Sequence, residues 1–320
     1  MTLPELPAAH ARILALGHYQ PANVITNDDL VARGVDTDDE WIRTRVGIAE
    51  RRYADPDETV LDIAERAARD TLDHADAAAR DIDLVVVATC STRSQVPAVA
   101  PQLAARLGIA SPGAFDVSGG CSGFVYALNA VAGAVRSGQA STVLLVGAER
   151  FSGWLDWTDR STCILLGDGA GGALIGRSPR PALGPVVWGS NGALADTVTI
   201  DEDSHFFTQQ GQAVYRWATT EMAPVAAEAC RRAGVAPSEL AAFIPHQANL
   251  RIIDMIARKL GIASEKVARD IGVSGNTAAA SVPLAMSKMM RRGEIPSGAP
   301  VLLLGFGSGL AYAAQVVLAP

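Results

Sequence analysis

The chain has 320 residues, of which 49% are hydrophobic and 19% charged, a balance typical of a globular protein with a large core and not of a disordered or collagen-like chain. It carries 27 Lys and Arg against 34 Asp and Glu, so the net charge is −7 at pH 7, which argues against a nucleic-acid partner. The four cysteines are far apart and form no C-x-x-C pair, so we expect no metal site or disulfide framework, and a cytoplasmic setting. No apolar run reaches the length of about 18 residues that a membrane span needs.

Short apolar runs alternate with helical stretches along the chain. Runs typical of strands buried on both faces occupy residues 83–88, 114–117, 143–147, 167–175, 241–244 and 301–305. Helical stretches, separated by Gly and Pro, occupy residues 59–75, 124–137, 212–233 and 250–260. The alternation predicts a layered α/β fold.

The two halves of the sequence are similar to each other. Residues 114–117 and 142–147 are matched by residues 268–271 and 300–305, and Gly-rich segments follow at 167–175 and 307–312. We interpret the similarity as a duplicated α/β unit, with one half at residues 1–178 and the other at 179–320. A chance similarity among α/β strands is the alternative.

Cys121 lies in the small-residue segment 118–123, between a predicted strand and a predicted helix. A sulfur at a helix N-terminus is favoured as a thiolate, so we expect the pKa of Cys121 to lie below its usual value of about 8.5. The glycines permit a turn like a nucleophile elbow, with Cys in place of Ser. A cysteine among small residues is also typical of an inert core position, which is the role we assign to Cys90, Cys163 and Cys230.

Two more polar residues follow a strand end and a Gly turn. His246 comes directly after the apolar run 241–244 and Pro245, where an α/β sheet usually places its ligand crevice. Asn276 follows Gly275, at the position in the second half that Cys121 holds in the first; by itself such an Asn is typical of a turn or a helix cap. If the halves pack about a pseudo-two-fold axis, Cys121 and Asn276 approach each other, with His246 beside them.

The Cys elbow, the Pro-His-Gln-Ala-Asn segment 245–249 and the Gly-Asn-Thr segment 275–277 together resemble the 3-oxoacyl-acyl-carrier-protein synthase III family of condensing enzymes, in the thiolase superfamily. The resemblance runs from about residue 11 to the C-terminus and includes segments 39–48, 159–162, 167–171 and 307–309. It implies a thiolase-like fold with layered α-β-α-β-α architecture and a homodimer. It also implies CoA thioesters as substrates, without a metal or other cofactor.

The resemblance further implies two half-reactions. Cys121 attacks the carbonyl of an acyl-CoA primer, and the backbone N–H groups of Cys121 and Ser308 hold the oxyanion. Malonyl-acyl-carrier protein then loses CO₂, and His246 and Asn276 stabilise the enolate, whose attack gives the 3-oxoacyl product that initiates fatty-acid synthesis. A neutral amide such as Asn276 suits this decarboxylation better than proton abstraction.

Residues for CoA and for the acyl chain are implied in the same way. Trp41 and Arg160 match positions that sandwich the adenine of CoA, and Arg45 matches one that contacts its phosphates; Trp41 could instead be a partly buried core aromatic. Val96 matches a position that reaches the acyl pocket of the partner subunit. A Val leaves more room than the Phe of some relatives, so primers larger than acetyl are expected.

Four basic residues match a patch on which the carrier protein docks. A local positive field on a chain of net charge −7 suits an acidic partner, while a solvated helix face is the competing interpretation. The residues are Arg216, Arg251, Arg258 and Lys259.

Three other functions remain open on these residues. A starter-unit synthase of a polyketide pathway would use the same chemistry. An acyltransferase acting on an alcohol or amine would be expected to differ at Asn276, and an inactive partner subunit would be expected to lack Cys121.

Overall fold

The computed structural model describes residues 9–94 and 96–320. The strands are β1 (His10–Tyr19), β2 (Asn23–Thr26), β3 (Glu50–Tyr53), β4 (Leu84–Ala88), β5 (Gly113–Val117), β6 (Thr142–Arg150), β7 (Asp168–Ser178), β8 (Val187–Gly189), β9 (Val198–Ile200), β10 (Phe207–Gln209), β11 (Ala242–Pro245), β12 (Pro300–Gly307) and β13 (Ala311–Leu318). The α-helices are α1 (Asn27–Ala32), α2 (Asp39–Arg45), α3 (Val60–Ala75), α4 (Val99–Arg106), α5 (Gly123–Arg136), α6 (Arg160–Cys163), α7 (Gly211–Ala233), α8 (Leu250–Leu260), α9 (Ile271–Ser274) and α10 (Ser281–Arg291).

Two mixed sheets form the centre of the fold. The first has the order β1-β7-β6-β4-β5, with β4 parallel to β5 and β6, and β7 antiparallel to β1 and β6. The second has the order β11-β12-β13-β8, with only β11 and β12 parallel. The first sheet is built before residue 179 and the second after it. The division into domains at that point stays a prediction, because both halves contribute to the helical layer between the sheets.

Helices cover both faces of each sheet. The cluster containing Leu103 packs α3 and α4 on the outer face of the first sheet. The cluster containing Phe124 buries α5 and α10 between the two sheets, and the cluster containing Phe243 packs α7 and α8 on the outer face of the second. The order of layers is therefore α-β-α-β-α, which confirms the predicted architecture.

The sequence of strand β4 is continuously apolar because both of its faces are buried. Val85 and Val87 belong to the outer cluster, whereas Val86 and Ala88 belong to the cluster between the sheets. Successive side chains of a strand point to opposite faces, so a strand buried on both sides needs apolar residues at every position.

The predicted helices at 59–75, 124–137, 212–233 and 250–260 are confirmed, with boundaries within one residue. Helix α8 illustrates the local signals that define them. The Asn249 side chain accepts the Arg251 N–H at its start, and Gly261, with φ of 69°, ends it. The cap places the loop 246–249 at the edge of the second sheet.

Residues 268–271, matched in the sequence to the strand segment 114–117, do not form a strand. The extended backbone pairs with β11 only through a Phe243–Val267 bridge, and α9 begins at Ile271. The Gln247 side chain instead donates to the Ala268 carbonyl at 3.3 Å and accepts the Ile271 N–H at 3.0 Å. An amide side chain thus makes the hydrogen bonds that a ladder would otherwise make.

Candidate active site

Cys121 lies on a short 3₁₀ turn, Gly120–Ser122, directly before α5. Gly120 has a φ of 52°, which favours glycine, and the end of β12 passes directly over the cysteine. A Cβ on Gly307 would lie 2.8 Å from Cys121 Cβ and 3.0 Å from Sγ. At this close approach, the backbone N–H groups of Cys121 and Ser308 both act to lower the pKa of the thiol.

The expected low pKa of Cys121 is wrong for this structure. Burial, and next the neighbouring Glu149 carboxylate, raise the pKa of Cys121 to about 12, and the two N–H groups oppose this only in part. Measured by its exposed surface, the residue Cys121 as a whole is half-buried. The sequence showed the helix N-terminus but not the carboxylate that the fold brings beside it.

His246 follows β11 and is buried. Its backbone N–H donates to the Leu304 carbonyl at 2.6 Å, and its ring Nδ1 lies 2.7 Å from Ser281 Oγ. The ring stands edge-on to Phe306, with centroids 5.4 Å apart. Burial lowers the pKa of His246 to about 3, so the imidazole is neutral at pH 7.

Asn276 is held by hydrogen bonds that orient its amide. Its backbone N–H donates to the Leu165 carbonyl, and its own carbonyl accepts from Gly167, both at 2.9 Å. The Ala278 N–H donates to Asn276 Oδ1 at 2.9 Å. Because Oδ1 takes this bond, the Nδ2 donor is left for a ligand.

Two cavities meet at these residues. The entrance cavity, of about 420 Å³, is lined by Cys121, His246 and Asn276 and reaches out to Trp41 and Arg45. The inner cavity, of about 440 Å³, also touches Cys121 and Asn276 and continues between apolar side chains: Phe151, Leu166, Val198, Ile200 and Phe207. The structure therefore brings the three polar residues singled out from the sequence to one place, where two cavities meet.

Trp41 and Arg160 lie together at the mouth of the entrance cavity. The Arg160 guanidinium carbon is 5.2 Å from the Trp41 ring centroid, and the same group donates to the Asp36 carbonyl at 2.7 Å. An aromatic ring inserted between two planar groups needs them about 7 Å apart, twice an ordinary contact distance. Trp41 and Arg160 contact each other and leave less than this distance between them, so one of the two side chains must move before an adenine can lie between them.

The four basic residues of the predicted docking patch are exposed on α7 and α8, which pack against each other. The Arg251 guanidinium lies over the Tyr215 ring, 5.3 Å from its centroid. Lys259 Nζ donates to the Thr219 carbonyl at 2.6 Å. Arg216 is on α7, and Arg258 is on α8.

Val96, the residue matched to the partner's acyl pocket, is 85% exposed and does not line the inner cavity of its own chain.

Three residues around the site were missed or misassigned from the sequence. Glu149 ends the apolar run of β6 with a fully buried carboxyl group. A charged residue directly after a buried strand could have indicated a site residue, because an α/β sheet usually places its ligand crevice at that edge. Cys90, assigned to the core, lines the inner cavity and donates to Glu149. Ser281 gave no signal in the sequence, because its contact with His246 depends on the tertiary fold.

Within residues 9–94 and 96–320, no group of three or more His, Cys, Asp or Glu side chains is placed to hold a metal ion. None of the helices in the same ranges combines the length and the apolar character needed to cross a bilayer.

Comparison with protein families gives two matches. The family model for 3-oxoacyl-[acyl-carrier-protein (ACP)] synthase III matches residues 115–192, and the model for the C-terminal part of that synthase matches residues 230–318. The first match contains Cys121, and the second contains His246 and Asn276.

Full-length relatives agree with these matches. Beta-ketoacyl-[acyl-carrier-protein] synthase III 2 of Streptomyces avermitilis is 51% identical over 313 residues, 97% of this chain and 99% of that protein. The priming beta-ketosynthase from the R1128 polyketide biosynthetic pathway superposes with a TM-score of 0.95 at 40% identity, covering 100% of this chain and 98% of that one. The 3-oxoacyl-[acyl-carrier-protein] synthase III of Aquifex aeolicus gives a TM-score of 0.93 at 39% identity, over 96% and 99% of the two chains. The chain thus belongs to the 3-oxoacyl-[acyl-carrier-protein] synthase III family and is an acyltransferase of the thiolase superfamily.

Proposed function

We propose that this enzyme condenses an acyl-CoA primer with malonyl-acyl-carrier protein, with loss of CO₂, and so initiates fatty-acid synthesis. The observation that carries the proposal is the meeting of one thiol, one imidazole and one oriented amide in a single cavity. The chemistry needs no metal or redox cofactor, because CoA and the carrier protein supply activated thioesters.

In the first half-reaction, Cys121 Sγ attacks the primer carbonyl and the thioester bond to CoA breaks; the thiol proton of Cys121 goes to the departing sulfur, so that CoA leaves as a thiol. The backbone N–H groups of Cys121 and Ser308, which both act on the pKa of the thiol, donate to the oxyanion that forms on the carbon bonded to the sulfur. Preorganised donors of this kind stabilise the charge of a tetrahedral intermediate, typically by about 3 kcal/mol each. The apolar inner cavity takes the acyl chain.

In the second half-reaction, Asn276 Nδ2 and His246 Nε2 donate to the enolate oxygen formed on decarboxylation. A neutral imidazole carries one proton, which must be on Nε2 for this role. Ser281 Oγ lies 2.7 Å from Nδ1 and 2.8 Å from the Ala278 carbonyl, so this tautomer requires the single hydroxyl proton of Ser281 to turn from the carbonyl to Nδ1. The enolate carbon then attacks the acyl group on Cys121, and the sulfur is released.

The residues at the entrance bind the two carriers. Trp41, Arg160 and Arg45 hold the nucleotide end of CoA, after the stacked pair of Trp41 and Arg160 has opened. The basic patch formed by Arg216, Arg251, Arg258 and Lys259 attracts an acidic carrier protein to the same side of the molecule.

We further propose a homodimer in which Val96 enters the acyl pocket of the partner subunit. An apolar side chain that is 85% exposed in the single chain supports a partner at this position. Val in place of a larger aromatic residue favours primers longer than acetyl.

Intact-protein mass spectrometry with acyl-CoA primers from acetyl to dodecanoyl tests the proposal. We expect an acyl adduct that is absent in Cys121→Ala and is discharged as a 3-oxoacyl product when malonyl-acyl-carrier protein is added. Asn276→Ala should still form the adduct but discharge it about 10²- to 10³-fold more slowly. An adduct that persists with malonyl carrier but leaves with alcohols or amines would refute condensation.

A second function, priming of a polyketide pathway, is favoured by one finding. The priming ketosynthase superposes over the full chain with a TM-score of 0.95. Comparing kcat/KM with a fatty-acid carrier protein and with a polyketide carrier protein separates the two functions, since the condensation itself is the same.

A further inference from the structure

Glu149 is a fully buried carboxyl group beside the nucleophile that the proposed reaction does not use. Its Oε2 accepts from Ser91 Oγ at 2.6 Å, from the Cys90 N–H at 3.1 Å and from Thr89 Oγ1 at 3.2 Å. Its Oε1 accepts from Cys90 Sγ at 3.3 Å and from the Ala279 N–H at 3.4 Å. Five donors converge on one side chain, which fixes the carboxyl group in place.

These donors come from both halves of the chain. Thr89, Cys90 and Ser91 form the loop after β4, whereas Ala279 lies in the 3₁₀ turn Ala278–Ala280. Ala278, in the same turn, donates its N–H to Asn276 Oδ1 and accepts the Ser281 hydroxyl at its carbonyl. Glu149 therefore anchors the turn that orients the amide and the serine next to the imidazole.

The charged surroundings of Glu149 are unusual for a buried carboxyl group. The titratable groups that face it are the thiols of Cys90 and Cys121; the turn Ala278–Ala280 offers only backbone, and the opposing residue on β7 is Gly169. None of the described ion pairs or hydrogen bonds to Glu149 involves a Lys, Arg or His side chain. Burial raises its pKa to about 7, against the hydrogen bonds from Ser91 and Cys90.

We propose that Glu149 is a positioning residue that controls Cys121 through its charge: the carboxylate opposes the thiolate, so that the sulfur rests as a thiol, and neutral Glu149 releases this restraint. Geometry supports this role, because five donors fix the carboxyl group and one of them, the Cys90 thiol, lines the inner cavity together with Cys121. The proposal depends on the proposed function only in taking Cys121 as the nucleophile.

The test measures alkylation of Cys121 by iodoacetamide as a function of pH, in the full-length enzyme, with peptides resolved by mass so that Cys90 is counted separately. Glu149→Gln keeps the size and an acceptor oxygen but removes the charge. A like charge at this range shifts a pKa by about one unit. A pKa lower by one unit raises the thiolate fraction at pH 8 about tenfold. A less basic thiolate is also less nucleophilic, which takes back part of this gain, so alkylation at pH 8 should become about three- to fourfold faster.

Asp168→Asn is the matched control. Asp168 is also a buried carboxyl group, on β7, and accepts from the backbone N–H groups of Ala54 and Ser152 at 2.8 and 2.9 Å. It lines neither the entrance cavity nor the inner cavity. Its replacement should leave the alkylation profile of Cys121 unchanged. An unchanged profile in Glu149→Gln, or an equal change in Asp168→Asn, would overturn the proposal.

Ser91→Ala gives a second measurement if Glu149→Gln does not fold. It removes the 2.6 Å hydrogen bond that favours the ionised carboxylate. Glu149 should then stay neutral to a higher pH, and alkylation of Cys121 near pH 7.5 should be faster than in the wild type. An unchanged rate in Ser91→Ala would contradict the proposal. Alkylation needs neither acyl-CoA nor carrier protein, so this result is independent of the condensing activity.

Discussion

Gly307→Ala should disable the nucleophile without unfolding the protein. Gly307 has a φ of 164°, an extended conformation open to any residue, so backbone strain is not the reason. The effect comes from space, because the new Cβ would lie 2.8 Å from Cys121 Cβ and 3.0 Å from Sγ. Contacting carbon atoms are ordinarily about 3.5 Å apart or more, so one side must move by about 0.7 Å.

The movement falls on the atoms that react. A misplacement of about 1 Å at a reacting centre costs on the order of 10²-fold in rate. We expect the rate of Cys121 acylation by an acyl-CoA to fall by about 30- to 100-fold. The rate is measured by intact-protein mass spectrometry of samples quenched at successive times. The melting temperature should change far less than the rate.

Gly133→Ala is the control for this experiment. Gly133 is in α5, the helix that follows Cys121, and an added Cβ would meet no atom within 4 Å. This variant should keep the wild-type acylation rate and gain about 0.5–1 kcal/mol of stability, because Ala is the better helix former. A Gly307→Ala enzyme that is acylated at the wild-type rate would refute the argument from close packing.

Three further predictions concern the entrance, the docking patch and pH. Trp41→Ala should raise KM for acyl-CoA and leave the reaction with acyl-pantetheine, which lacks adenine, unchanged; equal effects on both substrates would contradict adenine stacking. Arg251→Glu should lower kcat/KM for malonyl-acyl-carrier protein, by less at high salt, while Arg177→Glu on β7 should have no effect; loss of activity in both variants would refute a local docking patch. Folded Glu149 keeps its proton up to a pH of about 7, whereas the unfolded chain releases it near 4.5, so the stabilisation present at low pH is lost as the pH rises through this window. The melting temperature of Glu149→Gln relative to the wild type should therefore increase from pH 5 to pH 8, and a constant difference would disprove the linkage.

Much of the fold could be predicted from local pattern. Strand β4 is apolar at successive positions because both of its faces are buried, and helix α8 begins and ends at residues whose capping chemistry is visible in the sequence. The convergence of Cys121 and Asn276 was also predictable, because each precedes a helix of the middle layer in matching halves.

What could not be predicted depends on contacts between distant segments. Residues 268–271 do not repeat the strand of their counterpart 114–117; there the Gln247 side chain bonds the Ala268 carbonyl and the Ile271 N–H. The pKa of Cys121 was predicted in the wrong direction because neither its burial nor, second, the neighbouring Glu149 on another strand could be read from the local sequence. In the same way, the self-stacked pair of Trp41 and Arg160 depends on where α2 and α6 meet.

The two N–H groups around the Cys121 sulfur have a consequence for how the protein matures. One belongs to Cys121 and the other to Ser308, close to the C-terminal end of the chain. While the chain is being made, Cys121 has only an ordinary cysteine environment until the segment around Ser308, which lies 308 − 121 = 187 residues later, has also been synthesised and has folded over it. The chemical character of this sulfur is therefore acquired only when the two distant segments have come together.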